Sequence, residues 1–377
     1  MTCRGVDLLA VAESDVAPQR QLVSSSPVNT ADATGRVATA PSDDYAALRR
    51  QVRAAGMLDP QPRYYVLKTV VTLAMYALTL AFALLANQLA TMVLAGALVG
   101  FVWTQVGLLG HDVGHRQVVR GRRMTHGLAL ILANLLLGVG YTWWTTKHNK
   151  HHANPNRVGE DPDVNFSALA FSRSQTRGRS RLARTSIALQ AYVFPALLLI
   201  QSFNMKYHTA EHLWRGGARY PRLEIAALAV HYALYTALLT QLGGWGPAIV
   251  FFAAHQAVIG IYNGFIFAPN HKGMRMLEPG EQLDFLREQV LTARNVRPNP
   301  VVDYLYGGLN YQIEHHLFQD MPRNRLHDVQ PIVRAFCAER GITYEEVGAG
   351  EAYLAIARYL HGVGDHLRRR GARPTRD

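Results

Sequence analysis

Long uncharged apolar stretches constrain this 377-residue chain more than any other feature. Residues 89–110, 127–146 and 244–270 contain no Asp, Glu, Lys or Arg, and 64–86 contains one, Lys68, near its start. About 20 apolar residues are what a helix needs to cross the hydrocarbon core of a bilayer. Residues 223–242, with Glu224 at the edge, and 186–203, broken by Pro195, are weaker candidates. Only a helix satisfies its own backbone within such a length, so the expectation is an all-α integral membrane protein. The net charge of +12 suits anionic lipid or an acidic partner; no nucleic-acid-binding motif accompanies it, so nucleic acid is not expected. The two cysteines, Cys3 and Cys337, indicate neither a disulfide framework nor a thiolate metal site.

Eight of the sixteen histidines are grouped. They form His111-Asp-Val-Gly-His115, His148-Asn-Lys-His151-His152 and Gln312-Ile-Glu-His315-His316, with His271 just after an apolar stretch. Residues at i, i+3 and i+4 share one face of a helix. Imidazole is the commonest side-chain metal ligand, and four nitrogens already saturate a structural zinc. Eight exceed one ion and suit two, so a dinuclear, histidine-rich centre is expected. Asp112, Asn149, Asn154, Asn156, Asp161, Asp163 and Glu314 lie in or near the clusters and are candidates to accept the second ring N–H of a ligating imidazole. No catalytic residue beyond the metal ligands is singled out. His208 and His212 read as one face of an interfacial helix, His231 and His255 as buried histidines within spans, and His126, His327, His361 and His366 have no partner in sequence.

Clusters that share metals lie on one side of the membrane, so an even number of spans separates any two. Residues 127–146, alone between the first two clusters, therefore cannot cross. Of the three candidates between the second and third, the Pro-broken 186–203 is rejected. Four spans in two hairpins remain, at 64–86, 89–110, 223–242 and 244–270, beneath a cytoplasmic helical cap. The basic stretches 116–123, 147–150 and 173–184 fall on the histidine side, which places the clusters and both termini in the cytoplasm, in a multi-pass plasma-membrane protein. Residues 1–45 lack the apolar core of a signal peptide and are expected to be a disordered tail, with a helix beginning near Ser42-Asp-Asp where a capping residue precedes Tyr45; 46–362 are the membrane domain, and 363–377 a basic tail. Gly107, Gly110, Gly138 and Gly140 are places where a bound chain could approach the backbone.

The order HDxGH, HxxHH, QxxHH with hydrophobic hairpins between resembles the membrane fatty acid desaturases. The segments 148–164 and 310–318 are similar to the bacterial acyl-CoA branch, and the glutamine opening the third box is typical of the front-end group. The resemblance implies an oxidoreductase that uses two non-haem irons, O2 and two electrons to place a cis double bond in a fatty acyl chain, CoA- or lipid-linked. It implies iron ligation by His111, His115, His148, His151, His152, His315 and His316, with His271 matching the family's extra ligand. Gln312 replaces a histidine found in many members, so its contact is direct, water-mediated or absent. No cytochrome b5 motif His-Pro-Gly-Gly is present, which implies an external electron carrier such as a ferredoxin, a rubredoxin or a reductase. Arg116, Arg120, Arg122, Arg123 and Lys147 are candidates for the substrate head group. A membrane di-iron hydroxylase or ketolase on the same scaffold is the alternative. A metal transporter or b-type cytochrome fits less well, because both want ligands in mid-span.

Overall fold

The structure, a computed structural model, describes residues 41–371. Among them, four helices are long and apolar enough to cross a membrane, and they match the four expected spans. The chain opens with α1 (Pro41–Ala54), followed by α2 (Pro62–Leu85) and α3 (Leu89–Gly114). Proline opens α2 without loss, since the first helical N–H has no intrahelical partner. Gln88 and Thr91 cap α3 reciprocally. Next, α4 (Arg122–Ala129) widens into a π-helix (Leu130–Leu137), which Gly138 ends in the left-handed region at φ 67°. The chain then bends by 108° into α5 (Tyr141–Ala153). The uncharged segment 127–146 is thus two helices and a sharp corner.

Residues 186–203 are likewise divided, among α6 (Arg181–Ala188), α7 (Gln190–Leu198, containing Pro195) and α8 (Gln201–Trp214). The third and fourth long helices, α9 (Pro221–Thr240) and α10 (Trp245–His271), are joined by Gly243 and Gly244, both at positive φ. The described residues continue with α11 (Phe285–Leu291), β1 (Asn295–Val296), α12 (Pro300–Tyr306), α13 (Gln312–Leu317), α14 (Leu326–Glu339), β2 (Glu346–Val347) and the long but polar α15 (Ala349–Gly371). The parallel pairing of β1 with β2 departs from a purely helical chain, and it is two residues long.

Helix α3 is the centre of the apolar body: 67% of its apolar window is buried, against 11% for α2 and α9. Its closest partner is α10, and glycine permits the approach. A Cβ on Gly96 would lie 2.4 Å from the carbonyl oxygen of Phe251, and one on Gly100 2.8 Å from that of His255. Small residues spaced four apart allow backbones this close, where dispersion and weak hydrogen bonds act at short range. Since both pairings advance along the two chains together, α3 and α10 run parallel and end side by side. On α10, Gly260 faces the carbonyl oxygen of Leu198 of α7 in the same way, and Gly264 faces the Leu198 side chain.

A second apolar cluster gathers Leu48 and Val52 of α1, Leu286 and Val290 of α11, Ile313 of α13 and Val333 of α14. Asp44, also on α1, pairs with Arg287 at 3.2 Å and Arg340 at 3.0 Å. Packing thus includes Asp44, inside the segment 1–45 expected to be a tail and close to the helix start expected near Ser42; residues 1–40 lie outside the described residues. The other boundary also moves. Helix α15 continues through 363 to Gly371, with Val363 buried and Arg368 donating to the carbonyl of Ala188 at 2.6 Å. Both segments are amphipathic, so one face packs although the sequence reads as polar.

Candidate metal centre

The ends of α3 and α10 bring His111 and His271 to the same level, and His115 follows immediately on α3. The last turns of α5 supply His148, His151 and His152, and α13 supplies His315 and His316. All eight imidazoles converge, none more than 9% exposed. They form two adjoining groups: His111, His115, His148, His152 and His315, and beside them His151, His271 and His316. The groups touch where the His152 and His316 rings lie 4.3 Å apart.

The separations identify what such a site is suited to. The Nε2 atom of His148 lies 3.2 Å from that of His111, 2.9 Å from His115 and 3.0 Å from His152. In the other group, Nε2 of His151 lies 3.3 Å from that of His271. Ligand nitrogens about 2.0–2.1 Å from one ion stand roughly 3 Å from each other. Three of the outer ring nitrogens are meanwhile committed. Nδ1 of His151 donates to Asp161 at 3.0 Å, that of His271 to the carbonyl of Thr292 at 3.1 Å, and that of His316 to Gln289 Oε1 at 2.8 Å. Carboxylate and carbonyl oxygens only accept, so the proton sits on Nδ1 and a lone pair remains at Nε2. Lone pairs facing one another repel unless a cation lies between them. Among the described residues, Nε2 of His315 and of His316 is buried without a hydrogen-bond partner, as suits a nitrogen kept for a metal.

Burial keeps these rings in the ligand form. It holds His148, His152, His315 and His316 well below the ordinary histidine range, with neighbouring imidazoles adding to the effect. His115 is pushed down by burial to about 3. Neutral imidazole is the species that binds metal.

Sequence comparison adds a second line. Residues 87–348 match the family of fatty acid desaturases. A Delta(5) fatty acid desaturase of Caenorhabditis elegans, fat-4, is 31% identical over 310 residues, covering 79% of this chain and 68% of the relative. The chain belongs to the fatty acid desaturase family. A Delta(6)-fatty-acid desaturase of the same organism, fat-3, is 26% identical over 344 residues, 88% of this chain and 77% of the relative. A Delta(8)-fatty-acid desaturase of Euglena gracilis is 29% identical over 347 residues, 84% of this chain and 78% of the relative. This desaturase is an oxidoreductase acting on a fatty acyl chain.

The polar residues expected around the desaturase's histidines fall into two sets. Asp161 accepts from Nδ1 of His151 and from the backbone N–H of Asn156 and of Asp163. Asp163 lies 3.7 Å from His151 and is paired chiefly with Lys147. Asp112 is 3.6 Å from His111 Nδ1, and its close partner is the buried Arg323 guanidinium. Asn156 donates to the carbonyls of His271 and Thr292 and so supports the centre through the backbone. Two expectations are corrected. Asn149 is exposed on the outer side of α5 and makes no hydrogen bond to the histidines among the described residues. Glu314 points away from them, accepting from Asn295 and from the Tyr344 hydroxyl at 2.7 Å each; burial pushes its carboxyl up to about 7. Asn154 is the half-buried C-cap residue of α5.

The head-group candidates also divide. Arg116 lines a depression of about 400 Å³ with Tyr45, Arg49, Asn149 and Asp320, and His115 reaches it. Arg120 donates to the carbonyl of Leu58 at 2.9 Å, while Arg122 and Arg123 are exposed. Lys147 is corrected: its ammonium is committed to Asp163. The glycines proposed for chain approach serve the protein itself. A Cβ on Gly138 would meet His231 at 2.4 Å and one on Gly140 would meet Thr209 at 2.8 Å; Gly107 and Gly110 show ordinary contact with Leu137 and Leu132. His231 and His255 are hydrogen-bonded to the Leu135 carbonyl and to Tyr235, in keeping with structural roles.

The segment 285–296 escaped sequence reasoning altogether. It carries Gln289, which joins His316 to the carbonyl of His152, and Thr292 behind His271. The fully buried Arg294 grips the carbonyls of Pro269 and Lys272, and Asn295 accepts from the N–H of Ile313. Glutamine, threonine and asparagine here carry no distinguishing spacing, so no sequence signal marks them.

Proposed function

We propose that this desaturase holds two non-haem irons, one in the five-histidine group and one against His151, His271 and His316. It takes O2 and two electrons to place a cis double bond in a fatty acyl chain. The single observation that supports this most is the buried convergence of eight imidazoles in two adjoining groups. Iron with O2 supplies the oxidising power that an unactivated C–H bond demands, which zinc, having no redox chemistry, lacks. The balance is that the chain gives up two hydrogens, an external carrier gives two electrons, the medium gives two protons, and O2 leaves as two waters. The protein's share is orientation: Asp161, Thr292 and Gln289 fix three imidazoles from behind, and the fixed rings define where a chain must lie to react.

The finer reading is a front-end desaturase, supported by Gln312 at the head of the third box and by relatives named as Delta(5), Delta(6) and Delta(8) enzymes. In it, residues 41–371 form one desaturase body with two membrane hairpins, α2–α3 and α9–α10. The histidine centre faces the cytoplasm, as the basic stretches on that side require. Arg116, at the depression reaching His115, is the best placed of the basic residues to meet an anionic head group or an acidic carrier.

Expression in a host supplied with defined fatty acids, with the new double bond mapped by mass spectrometry, tests this. A double bond between an existing one and the carboxyl end is expected, with about two irons per purified chain, as a dinuclear centre requires. His151→Ala and His315→Ala are expected to abolish product and lower iron content. A hydroxylated product without an alkene would assign the scaffold to a hydroxylase, and full activity in either variant would overturn the shared centre.

A further inference from the structure

The two histidine groups are unequal, and Gln312 stands on the poorer side. Its side chain, 3% exposed, lies between Asn270 and His271. Asn270 is fully buried, and its Nδ2 faces the carbonyl oxygens of Ile266 at 3.1 Å and Leu309 at 2.9 Å. Both only accept, so the amide nitrogen is fixed on that side; turning the amide would set oxygen against oxygen. The same nitrogen, its two hydrogens shared among three acceptors, lies 3.1 Å from Gln312 and favours that side chain's oxygen there. Turning Gln312 would instead bring two NH2 groups face to face in a buried site. Its Nε2 then points inward, 2.9 Å from Nε2 of His271. An amide nitrogen has no lone pair to give a metal. His271, whose Nδ1–H is taken by Thr292, offers a lone pair at that point and accepts the Gln312 N–H.

We propose that Gln312 is not an iron ligand but a hydrogen-bond donor, aimed at an open position beside His151, His271 and His316, where it holds a small acceptor ligand. The inference rests on the di-iron reading above. Three protein ligands leave a metal with positions to spare, as catalytic sites do. A metal that takes the His271 lone pair frees the Gln312 N–H for whatever occupies the neighbouring position. Five imidazoles fill more of an ion's positions than three, and Gln312 lies beside the smaller group, so the exogenous ligand is assigned to the three-histidine side. A charge-assisted hydrogen bond from a fixed, buried donor favours an anion there. Gln312 is thus a positioning residue for the small ligand, held in orientation by Asn270.

Azide binding to the iron-loaded, full-length protein, followed by visible absorption alongside iron analysis, tests this. Wild type is expected to hold about two irons and to bind azide. Gln312→Leu should keep its iron and bind azide roughly tenfold or more weakly, the loss of one hydrogen bond to a charged group. Gln312→Met fills the same volume without a donor and repeats the measurement if the leucine variant does not fold. Gln312→His should keep its iron and lose azide binding, because a fourth imidazole fills the position. His271→Ala, which removes a ligand, sets the scale for iron loss. Loss of iron from Gln312→Leu or Gln312→Met to the extent seen in His271→Ala overturns the proposal, as does unchanged azide affinity or an iron-loaded wild type that binds no azide. A wild type that holds no iron pair would instead count against the di-iron reading.

Discussion

At the scale of single residues, the centre depends on a polar layer that ligates nothing. Gln289 bridges two boxes, accepting from His316 and donating to the carbonyl of His152, so one side chain sets a ring's tautomer and its distance from α5. Gln289→Leu leaves all eight histidines in place, yet it is expected to weaken iron binding roughly 10- to 100-fold, measured by competition with a chelator. Retention equal to wild type would show that packing alone orients His316. The histidines were legible because they crowd one helical face at each box, an arrangement chance rarely gives. Gln289, Thr292 and Asn295 were not legible, because such residues are abundant and their role exists only after distant segments meet. Asn149 and Glu314 show the converse. Lying inside a box does not aim a side chain at the metal, since alternate faces of one helix point apart.

At the scale of elements, apolar runs identified all four long helices, because hydropathy over about 20 residues responds to the membrane and not to packing. It says nothing of which helix is central. That role falls to α3, through Gly96 and Gly100 against the backbone of α10. Gly100→Leu is expected to force the helices apart, costing about 1–3 kcal/mol or more as overpacking does, and to carry His111 away from His271. Thermal unfolding in detergent, with iron content read in parallel, measures both. A variant with wild-type melting and full iron would show that the close approach is dispensable. At the ends of the chain the start of α1 near Ser42 was legible from its capping residues, but the packing of α1 and α15 was not, for a related reason. Helices α1 and α15 bury one face each, and a mixed sequence hides such a face until its partner is known.

At the scale of the whole molecule, the centre closes a loop among α3, α5, α10 and α13, which are far apart in sequence. A ligand that binds the folded chain alone stabilises it by mass action, so free iron at 100 times its dissociation constant adds about 2.7 kcal/mol. Stripping iron with a chelator is therefore expected to lower the melting temperature, and restoring it to recover that loss. No change on removal would mean that the protein framework holds the histidines without help. The same convergence bears on topology, because a centre built from the ends of two parallel helices requires both to arrive at one membrane face.

The sequence alone determined which segments are apolar enough for a bilayer and which residues could hold a metal. Both are properties of composition and short spacing, fixed before anything folds. The tertiary structure decided the division of the histidines into five and three, the inward N–H of Gln312 and the buried pairing of Asp112 with Arg323. Each of these depends on a distance between segments that sequence separation does not encode. In a buried, weakly screened interior, ångströms of such distance decide whether a polar group binds, supports or stands aside.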